Sequence, residues 1–372
     1  MRGLVFPLTI IGLFVFFAIF AELVAPYPYA LQNRQAPFHP PTRIHLFKEG
    51  KPTFPYVHPY KMVDPLFKVY EEDKSVSCRL RFMYKGDYGY KLLSVEEPCK
   101  LYLLGTDKLG RDIFSRIVYG SRVSLTVGLV GVAITFFLGS LIGGIAGYFG
   151  GRVDALIMRI VEVLLAIPTF YLMLSLRSVF PLTMESFYVF IMVIFILSFL
   201  GWAGLARVVR GMVLSIREKE FVQSAKTYGA GTLRILRVHI LPNAYYYLIV
   251  SATLSFPGYI LAEASLSFLG LGIQEPYPSW GNMLSDARNV NLISAHPWIL
   301  SPGVALFLVV IAFNLLGDNL LKGEKKDEGH IGPCGRKHTY SWKALPFEGF
   351  GSRDSKRYKS WTFCNGKGFQ QP

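Results

Sequence analysis

The sequence predicts an all-α membrane protein, with six transmembrane helices and a small β-containing insertion on the extracytoplasmic side. Hydrophobic residues make up 52% of the 372 residues and charged residues only 17%, whereas about a quarter of the residues in an ordinary soluble domain are charged. Six runs with few charges also reach the length of about 20 residues that a helix needs to cross a bilayer. Together these observations indicate a chain that crosses the membrane repeatedly.

The six apolar runs define the predicted spans. They are residues 4–23, 123–149, 155–176, 186–206, 244–271 and 298–316. The first run could be a signal peptide, but it is longer than the usual apolar region of about 7 to 15 residues. No small-x-small cleavage site precedes the proline-rich stretch that follows, so we expect an uncleaved span.

The orientation follows from lysine and arginine in the short loops, because such loops favour the cytoplasm. The loop at 207–243 is rich in both, whereas the loop at 272–297 carries only Arg288. The first is therefore predicted inside and the second outside, which places both termini in the cytoplasm. The net charge of +14 gathers in inner loops and in the tail, where anionic lipid headgroups are a simpler partner than nucleic acid.

Four regions follow from this topology. Residues 1–24 form the first helix, 25–118 an outer insertion with an amphipathic entry segment, 119–321 the core with five spans, and 322–372 a cytoplasmic tail. The outer segment is basic, but loops beyond about 60 residues translocate largely regardless of charge. Its partial alternation predicts a strand hairpin near residues 77–95. The tail lacks apolar periodicity and is predicted to be disordered.

The cysteines do not suggest a metal centre. Four are present, without a CxxC pair or a zinc spacing. Cys78 and Cys99 share the outer segment, where they either form a disulfide or remain free thiols. No metal is expected.

Glycine recurs at every fourth position towards the end of the second span. Such spacing keeps small residues on one helix face and lets another helix approach closely, as in small-xxx-small packing. The neighbour is in this chain or in a partner, and we favour the same chain. The residues are Gly139, Gly143, Gly147 and Gly151.

Charged residues fall well inside two of the predicted spans. Intramembrane charges are expensive, so Arg159, Glu162 and Glu263 are candidates for the translocation path or for a proton relay. Arg159 precedes Glu162 by three residues, so the two can form an ion pair on one helix face. Glu263 lies towards the outer end of its span, where water can reach it. We favour structural ion pairs or caps for these carboxylates.

Nucleotide and hydrolase motifs are missing from the sequence. It contains no GxxxxGK[ST], no GxSxG and no HExxH. We therefore expect no cofactor bound by this chain and no catalytic residue, and any ATP must bind to another protein.

The stretch "EFVQSAKTYGAGTLRILRVHILPNA" at residues 220–244 is too polar to cross a membrane. Phe221, Ala225 and Tyr228 recur at helical spacing, and Gly229 with Gly231 should end this helix because glycine adopts a left-handed φ without strain. A second amphipathic helix follows and should stop at Pro242. The product is a hinged helix pair that fits a groove on a partner, with Phe221 as the anchor. The alternative is a helix that lies on the lipid headgroups.

This stretch resembles the cytoplasmic coupling loop of ATP-binding-cassette (ABC) importer permeases, whose signature is E-A-A, three residues, G, nine residues, I-x-L-P. Four positions match this signature: Ala225, Gly229, Leu241 and Pro242. Three carry substitutions, with Gln223 and Ser224 at the first two positions of E-A-A and His239 at the isoleucine. Glu220 and Phe221 lie just before the signature. The resemblance implies that these residues contact an ATPase; the substitutions at Gln223 and Ser224 remove the signature acidic contact.

Further blocks resemble the peptide and nickel branch of these permeases, in particular its second, "C"-type subunit. They run in order from residue 105 to residue 318 as "GTDKLGRDIFSRIVYGSRVSL", "AGYFGGRVD", "VHILPN", "LAEASLSFLGLG", "PSWGNML" and "AFNLLGD". The outer insertion is longer than this family leads us to expect. The tail matches nothing in the family, so it is either an addition or an out-of-register end of the reading frame.

The resemblance implies a type I importer permease core of six helices that moves peptides. It also implies four partners beside the lipid bilayer: a homologous permease, two cytoplasmic ATPases and an extracytoplasmic substrate-binding protein. Nickel chelates and oligosaccharides remain alternative cargoes. Two alternatives come from other classes of protein. A proton-coupled transporter using Glu162 and Glu263 usually carries an internal repeat, and a membrane hydrolase needs a nucleophile with its base; we find neither feature in the sequence.

Overall fold

The computed structural model describes residues 2–48, 51–86, 88–181 and 184–328. Residues 1–326 form one compact unit, and nearly all of the second unit, 327–372, lies outside the described residues. The helices are Arg2–Ile19 (α1), Ala21–Val24 (α2), Ile113–Phe149 (α3), Gly151–Ala166 (α4), Thr169–Ser178 (α5), Ser186–Ile216 (α6), Glu220–Thr227 (α7), Thr232–Arg234 (α8), Leu241–Phe268 (α9), Trp280–Met283 (α10), Val290–Ala295 (α11) and Ser301–Glu328 (α12). Ile235–Ile240 is π-helical, and Leu284–Arg288 and Pro297–Leu300 are 3₁₀-helical.

Four helical runs in the described chain are long and apolar enough to cross a membrane: α3, α6, Ile235–Phe268 and Pro297–Lys322. Helices α4 and α5 make a fifth candidate if this bent pair is one span. Helix α1 is apolar but shorter. The structure thus supports several membrane spans, and the full count of six stays a prediction.

The helices extend beyond the apolar runs. Helix α3 begins ten positions before the predicted start at 123, because Asp112 caps it by accepting a hydrogen bond from the Ser115 amide at 2.8 Å. Helix α12 continues to Glu328, into the predicted tail. The rest of the tail lies outside the described residues.

Helices α4 and α5 meet at an angle of 88°. The break falls at Ile167, which precedes Pro168 and has an extended backbone with φ −87° and ψ 129°. Proline disfavours a helical conformation in the residue before it, which accounts for the position of the break. Pro168 therefore marks a sharp corner between the two helices.

Between α2 and α3 the described residues form six strands. They are His45–Lys48 (β1), Lys51–Val57 (β2), Tyr60–Asp64 (β3), Val69–Glu72 (β4), Cys78–Gly86 (β5) and Gly89–Val95 (β6). One antiparallel sheet has the order β1-β2-β5-β6, and β3 pairs with β4. Leu80 faces Val95 across the β5–β6 hairpin. The side of the membrane on which these strands lie stays a prediction.

A disulfide joins Cys78 to Cys99, so of the two alternatives for these thiols the structure has the bonded one. Both residues are buried in a small core with Val57, Leu80 and Leu101. The bridge fastens β5 to the chain that leads back towards α3.

The glycine-rich face of α3 packs against α6. A Cβ atom on Gly139 would lie 2.8 Å from the Leu205 side chain, one on Gly147 would lie 2.8 Å from the Arg210 carbonyl oxygen, and one on Gly143 would collide with the Ala206 carbonyl oxygen. The neighbour is thus in the same chain, as favoured. Gly151 differs, because it follows the end of α3 and has nothing within 4 Å of its Cβ position. Its assignment to this face was wrong.

We expect Gly143→Val to destabilise the protein by about 1–3 kcal/mol, because the side chain would force α3 away from the α6 backbone. Gly144→Ala is the matched control, since a Cβ there would meet only Leu236 at 3.8 Å. Thermal unfolding of the detergent-solubilised variants measures the difference. Equal melting temperatures for the two variants would contradict the close packing.

Candidate functional site

The polar stretch predicted to bind a partner forms a short helix between two long ones. Helix α7 follows α6 after a turn of three residues and ends at Thr227. Gly229 then adopts φ +77°, while its amide donates to the Lys226 carbonyl and the Ala230 amide donates to the Ala225 carbonyl. These two bonds form a Schellman motif. Gly229 is therefore the hinge, whereas Gly231 has an ordinary φ of −65° and begins the next helix.

The second helix of the pair does not stop at Pro242, and that prediction was wrong. The chain remains helical from Thr232 to Phe268. The π-helical stretch lies just before the proline, and the Leu241 amide donates to the Leu236 carbonyl five residues earlier. The wider turn accommodates the missing N–H of proline and the bulk of its ring, which would disrupt a regular α-helix.

Helix α7 has a buried side and an exposed side. Val222 is fully buried among side chains of α6 and the π-helical stretch. Phe221 is 40% exposed and Tyr228 91% exposed. Phe221, predicted as the anchor to a partner, is thus exposed, whereas the sequence analysis did not identify Val222 as the residue that attaches α7 to its neighbours. Its spacing of three from the half-buried Ala225 is the signal that would have found it.

The remaining predicted partner contacts surround this helix. Glu220, Gln223 and Ser224 are exposed, and the Gln223 side chain donates to the Arg217 carbonyl at 3.1 Å. Leu241 is half-buried and Pro242 exposed in the continuing helix. The helix, the hinge and the exposed face are thus within one short segment, which suits a rigid element that docks in a groove.

An open cavity of about 640 Å³ lies among α3, α5, α6 and α9 and the end of α4. Its walls are mainly apolar and carry hydroxyl groups but no charged side chain. Tyr259 and Thr135, which hydrogen-bond to each other at 2.5 Å, are two of these hydroxyls. Neither Glu162 nor Glu263 lines it. The cavity can therefore hold an amphiphilic solute without binding it by charge.

Glu263 is completely buried, contrary to the expectation that water reaches it. Its carboxylate accepts hydrogen bonds from Ser267 at 2.7 Å and from Ser124 at 3.3 Å. Among the described residues no cation pairs with it, so of the two structural roles predicted for it, an ion pair or a cap, the ion pair is absent. The two serines also accept bonds from the amides of Ile273 and Trp280. The carboxylate thereby ties the loop after α9 to α3.

Arg159 and Glu162 form the predicted pair on α4, with 3.7 Å between Nη1 and Oε2. Both side chains are largely exposed in this chain, at 81% and 57%. An exposed pair of this kind contributes little to stability.

A cluster of two arginines and two carboxylates escaped the sequence analysis. Arg111 donates to Asp107 at 2.7 Å, Arg116 donates to Glu275 at 3.0 Å, and Arg111 also pairs with Glu275. Both arginine side chains are at least 95% buried. The spacing of four residues between Asp107 and Arg111 is a signal that could have revealed their ion pair, but Glu275 is too distant in sequence to be assigned.

Burial of the cluster alone would raise the pKa of Glu275. The Arg116 and Arg111 guanidinium groups outweigh this effect and hold the pKa of that carboxyl below its usual range. Glu275 is therefore ionised at neutral pH and fixes the loop after α9 to the start of α3.

Comparison with known proteins gives one family and several relatives. Residues 139–323 match the family described as the binding-protein-dependent transport system inner membrane component. The dipeptide transport system permease protein of Bacillus subtilis is 44% identical over 224 residues, which cover 60% of this chain and 68% of that protein. The oligopeptide transport system permease protein of Haemophilus influenzae is 40% identical over 241 residues, covering 64% and 75%.

One further relative and one solved structure are also similar to this chain. The glutathione transport system permease protein of Pectobacterium atrosepticum is 41% identical over 225 residues, which cover 60% of this chain and 72% of that protein. A chain of the MetNI methionine ABC transporter in inward-facing conformations is 19% identical, with a TM-score of 0.43, covering 56% of this chain and 95% of that one.

We expect Glu275→Gln to lower the free energy of unfolding by about 1–2 kcal/mol at neutral pH, because it leaves Arg111 and Arg116 with one carboxylate between them. Because the folded-state pKa is depressed, this contribution is fully present above about pH 5 and is lost as the pH falls through the folded-state value. Thermal unfolding at several pH values measures it.

The matched control is Glu97→Gln, which removes one carboxylate from the Lys100–Glu97 pair, where the Glu97 side chain is 81% exposed. It should change the melting temperature little at any pH. A difference between Glu275→Gln and the unsubstituted protein that grows in acid would contradict the assignment.

Proposed function

Because the chain belongs to the family of binding-protein-dependent transport system inner membrane components, we propose that it is the permease subunit of an ABC importer that carries peptides into the cell. The resemblance drawn from the sequence motifs is confirmed. The chain is a multi-pass membrane protein, with several helices long and apolar enough to cross the inner membrane. Its relatives are transport permeases and not enzymes.

The observation that carries this proposal is the hinged helix α7. It leaves Phe221 and Tyr228 exposed, while Val222 fastens it to α6 and to the helix that continues into α9. A connection between two spans needs no such helix. A short helix that is attached on one side and exposed on the other can bind a partner and transmit the partner's movement to the attached helices.

We propose that ATP binds only to two separate cytoplasmic ATPases, and that their closure moves α7. This movement would rock the attached spans, so that the cavity opens alternately to each side. This chain supplies no cofactor site and no catalytic group in this mechanism. A homologous permease would complete the translocation path on the open side of the cavity.

The orientation proposed from the basic loops puts α7 and both termini in the cytoplasm. The strand-containing insertion and the loop between α9 and α12 would then face outwards, where a substrate-binding protein delivers the cargo. The Cys78–Cys99 disulfide supports this side for the insertion, because disulfides persist in oxidising compartments.

Peptides are proposed as cargo because relatives at 40–44% identity are named for dipeptide, oligopeptide and glutathione transport. An uncharged cavity lining suits peptides whose side chains vary in charge. Nickel chelates and oligosaccharides remain the alternative cargoes.

The deciding experiment reconstitutes the chain with its partner permease, both ATPases and the binding protein in proteoliposomes. Uptake of labelled di- and oligopeptides should require ATP and the binding protein. A proton-coupled rival using Glu162 and Glu263 has no support from the cavity lining. Uptake that persists without ATP and collapses with a proton ionophore would overturn the proposal.

We expect Phe221→Asp to reduce ATP-dependent uptake at least about tenfold, because a charge replaces the apolar anchor in the partner's groove. Gly229→Pro should do the same, since proline cannot adopt the φ of +77° that ends α7. The measurements are uptake and co-purification of the ATPases.

The control is Phe54→Asp, which introduces the same charge in place of another exposed phenylalanine, on β2, whose side chain is 80% exposed. It should retain the ATPases in full. Normal uptake by both Phe221→Asp and Gly229→Pro would contradict the assigned role of α7.

A further inference from the structure

The corner between α3 and α4, residues 147–154, is joined to the segment around α7 by several polar contacts. The motif "AGYFGGRVD" covers this corner, and the proposed function gives it no role. We refer to residues 147–154 as the α3–α4 corner.

Two cations from the α6–α7 region hold the end of α3. The Arg217 guanidinium donates to the carbonyls of Gly147 at 3.0 Å and Tyr148 at 3.3 Å. These carbonyls lie in the last turn of α3, where the helix dipole also favours a positive charge. From α7, the Lys226 ammonium lies 5.4 Å from the centre of the Tyr148 ring, within the range of a cation–π contact.

A bidentate ion pair holds the start of α4. Arg210 on α6 donates through Nε and Nη2 to the two carboxylate oxygens of Asp154, each at 2.5 Å. The Asp154 side chain is only 13% exposed. A bidentate arginine–carboxylate pair of this kind fixes the relative orientation of the two helices as well as the distance between them. Gly147 packs against the same turn of α6, so the corner and α6 are in contact through backbone and side chains.

Helix α4 also packs against α6 along one side. Val161 is its only fully buried residue, in contact with Trp202, Ala203 and Ala206 of α6, and partly buried apolar side chains join the same cluster: Ile157, Met158 and Leu164. Beyond the 88° bend, α5 contributes Thr169, Phe170 and Met173 to the cavity wall. We refer to α4 and α5 together as the α4–α5 arm. Its first end is held by Asp154, and its other end lines the cavity.

From this arrangement we infer that the Asp154–Arg210 ion pair is a transmission link: it makes the α4–α5 arm move with α6 and α7, so that ATPase-driven motion reaches the cavity wall. Asp154 and Arg210 are positioning residues and touch neither ATP nor cargo. The inference rests on the proposed function. Without the pair, the ATPases should still dock and hydrolyse ATP, but the arm should follow their motion poorly.

The test uses the fully reconstituted transporter and measures peptide uptake and ATP hydrolysis in the same proteoliposomes. Asp154→Asn should lower the ratio of peptide taken up to ATP hydrolysed by about fivefold or more, the scale of a typical coupling energy between sites. The ATPase rate itself should stay within about twofold, since α7 and Phe221 are unchanged. The exchange variant Asp154→Arg with Arg210→Asp restores an ion pair and should recover much of the ratio.

The matched control is Glu22→Gln, which breaks another two-pronged arginine pair between helices, with Arg122 donating to Glu22 at 3.0 and 3.1 Å. It should leave the ratio unchanged. The inference is overturned if Asp154→Asn keeps the unsubstituted ratio, or if it loses uptake and ATPase stimulation together, as a folding or docking defect would. A lack of ATP-dependent uptake in the unsubstituted protein would instead overturn the proposed function.

Discussion

The close approach of α3 and α6 is the constraint on which the rest of the structure depends. Gly143 and Gly147 leave no space for a side chain between these helices. Without a hydrophobic driving force between helices in lipid, such backbone contact is a main source of stability. Because α6 continues directly into the turn before α7, this contact also determines where α7 lies relative to the end of α3.

Two glutamates, Glu263 and Glu275, connect the segment after α9 to the helices through hydrogen bonds and ion pairs. Glu263 accepts from two serines that in turn bind the loop after α9, and Glu275 ties the same loop to buried arginines at the start of α3. An unpaired buried polar group would cost about 1–3 kcal/mol. These two carboxylates therefore hold the segment between α9 and α12, which contains the short helices α10 and α11, to the bundle.

The sequence predicted the positions of most apolar helices and of α7 with its hinge at Gly229. Both predictions succeed because an apolar run and a glycine determine the conformation of the residues nearest to them in sequence. Helix ends were less predictable: α6 continues to Ile216 because a helix need not stop where its apolar run stops. The stop predicted at Pro242 failed because a π-helical turn accommodates proline. The environments of Glu263 and Glu275 depend on partners distant in sequence, so a pattern within one chain segment cannot reveal them.

The Cys78–Cys99 bridge has a consequence for biogenesis. The core around it is small and contains, among the described residues, the buried side chains of Val57, Cys78, Leu80, Cys99 and Leu101. A crosslink that closes a loop of this size stabilises a fold by roughly 3 kcal/mol, a large share for so small a core. With the insertion outside the membrane, as proposed, oxidation of these two thiols becomes a maturation step for this permease, and a host without a thiol oxidase would leave the insertion without its crosslink.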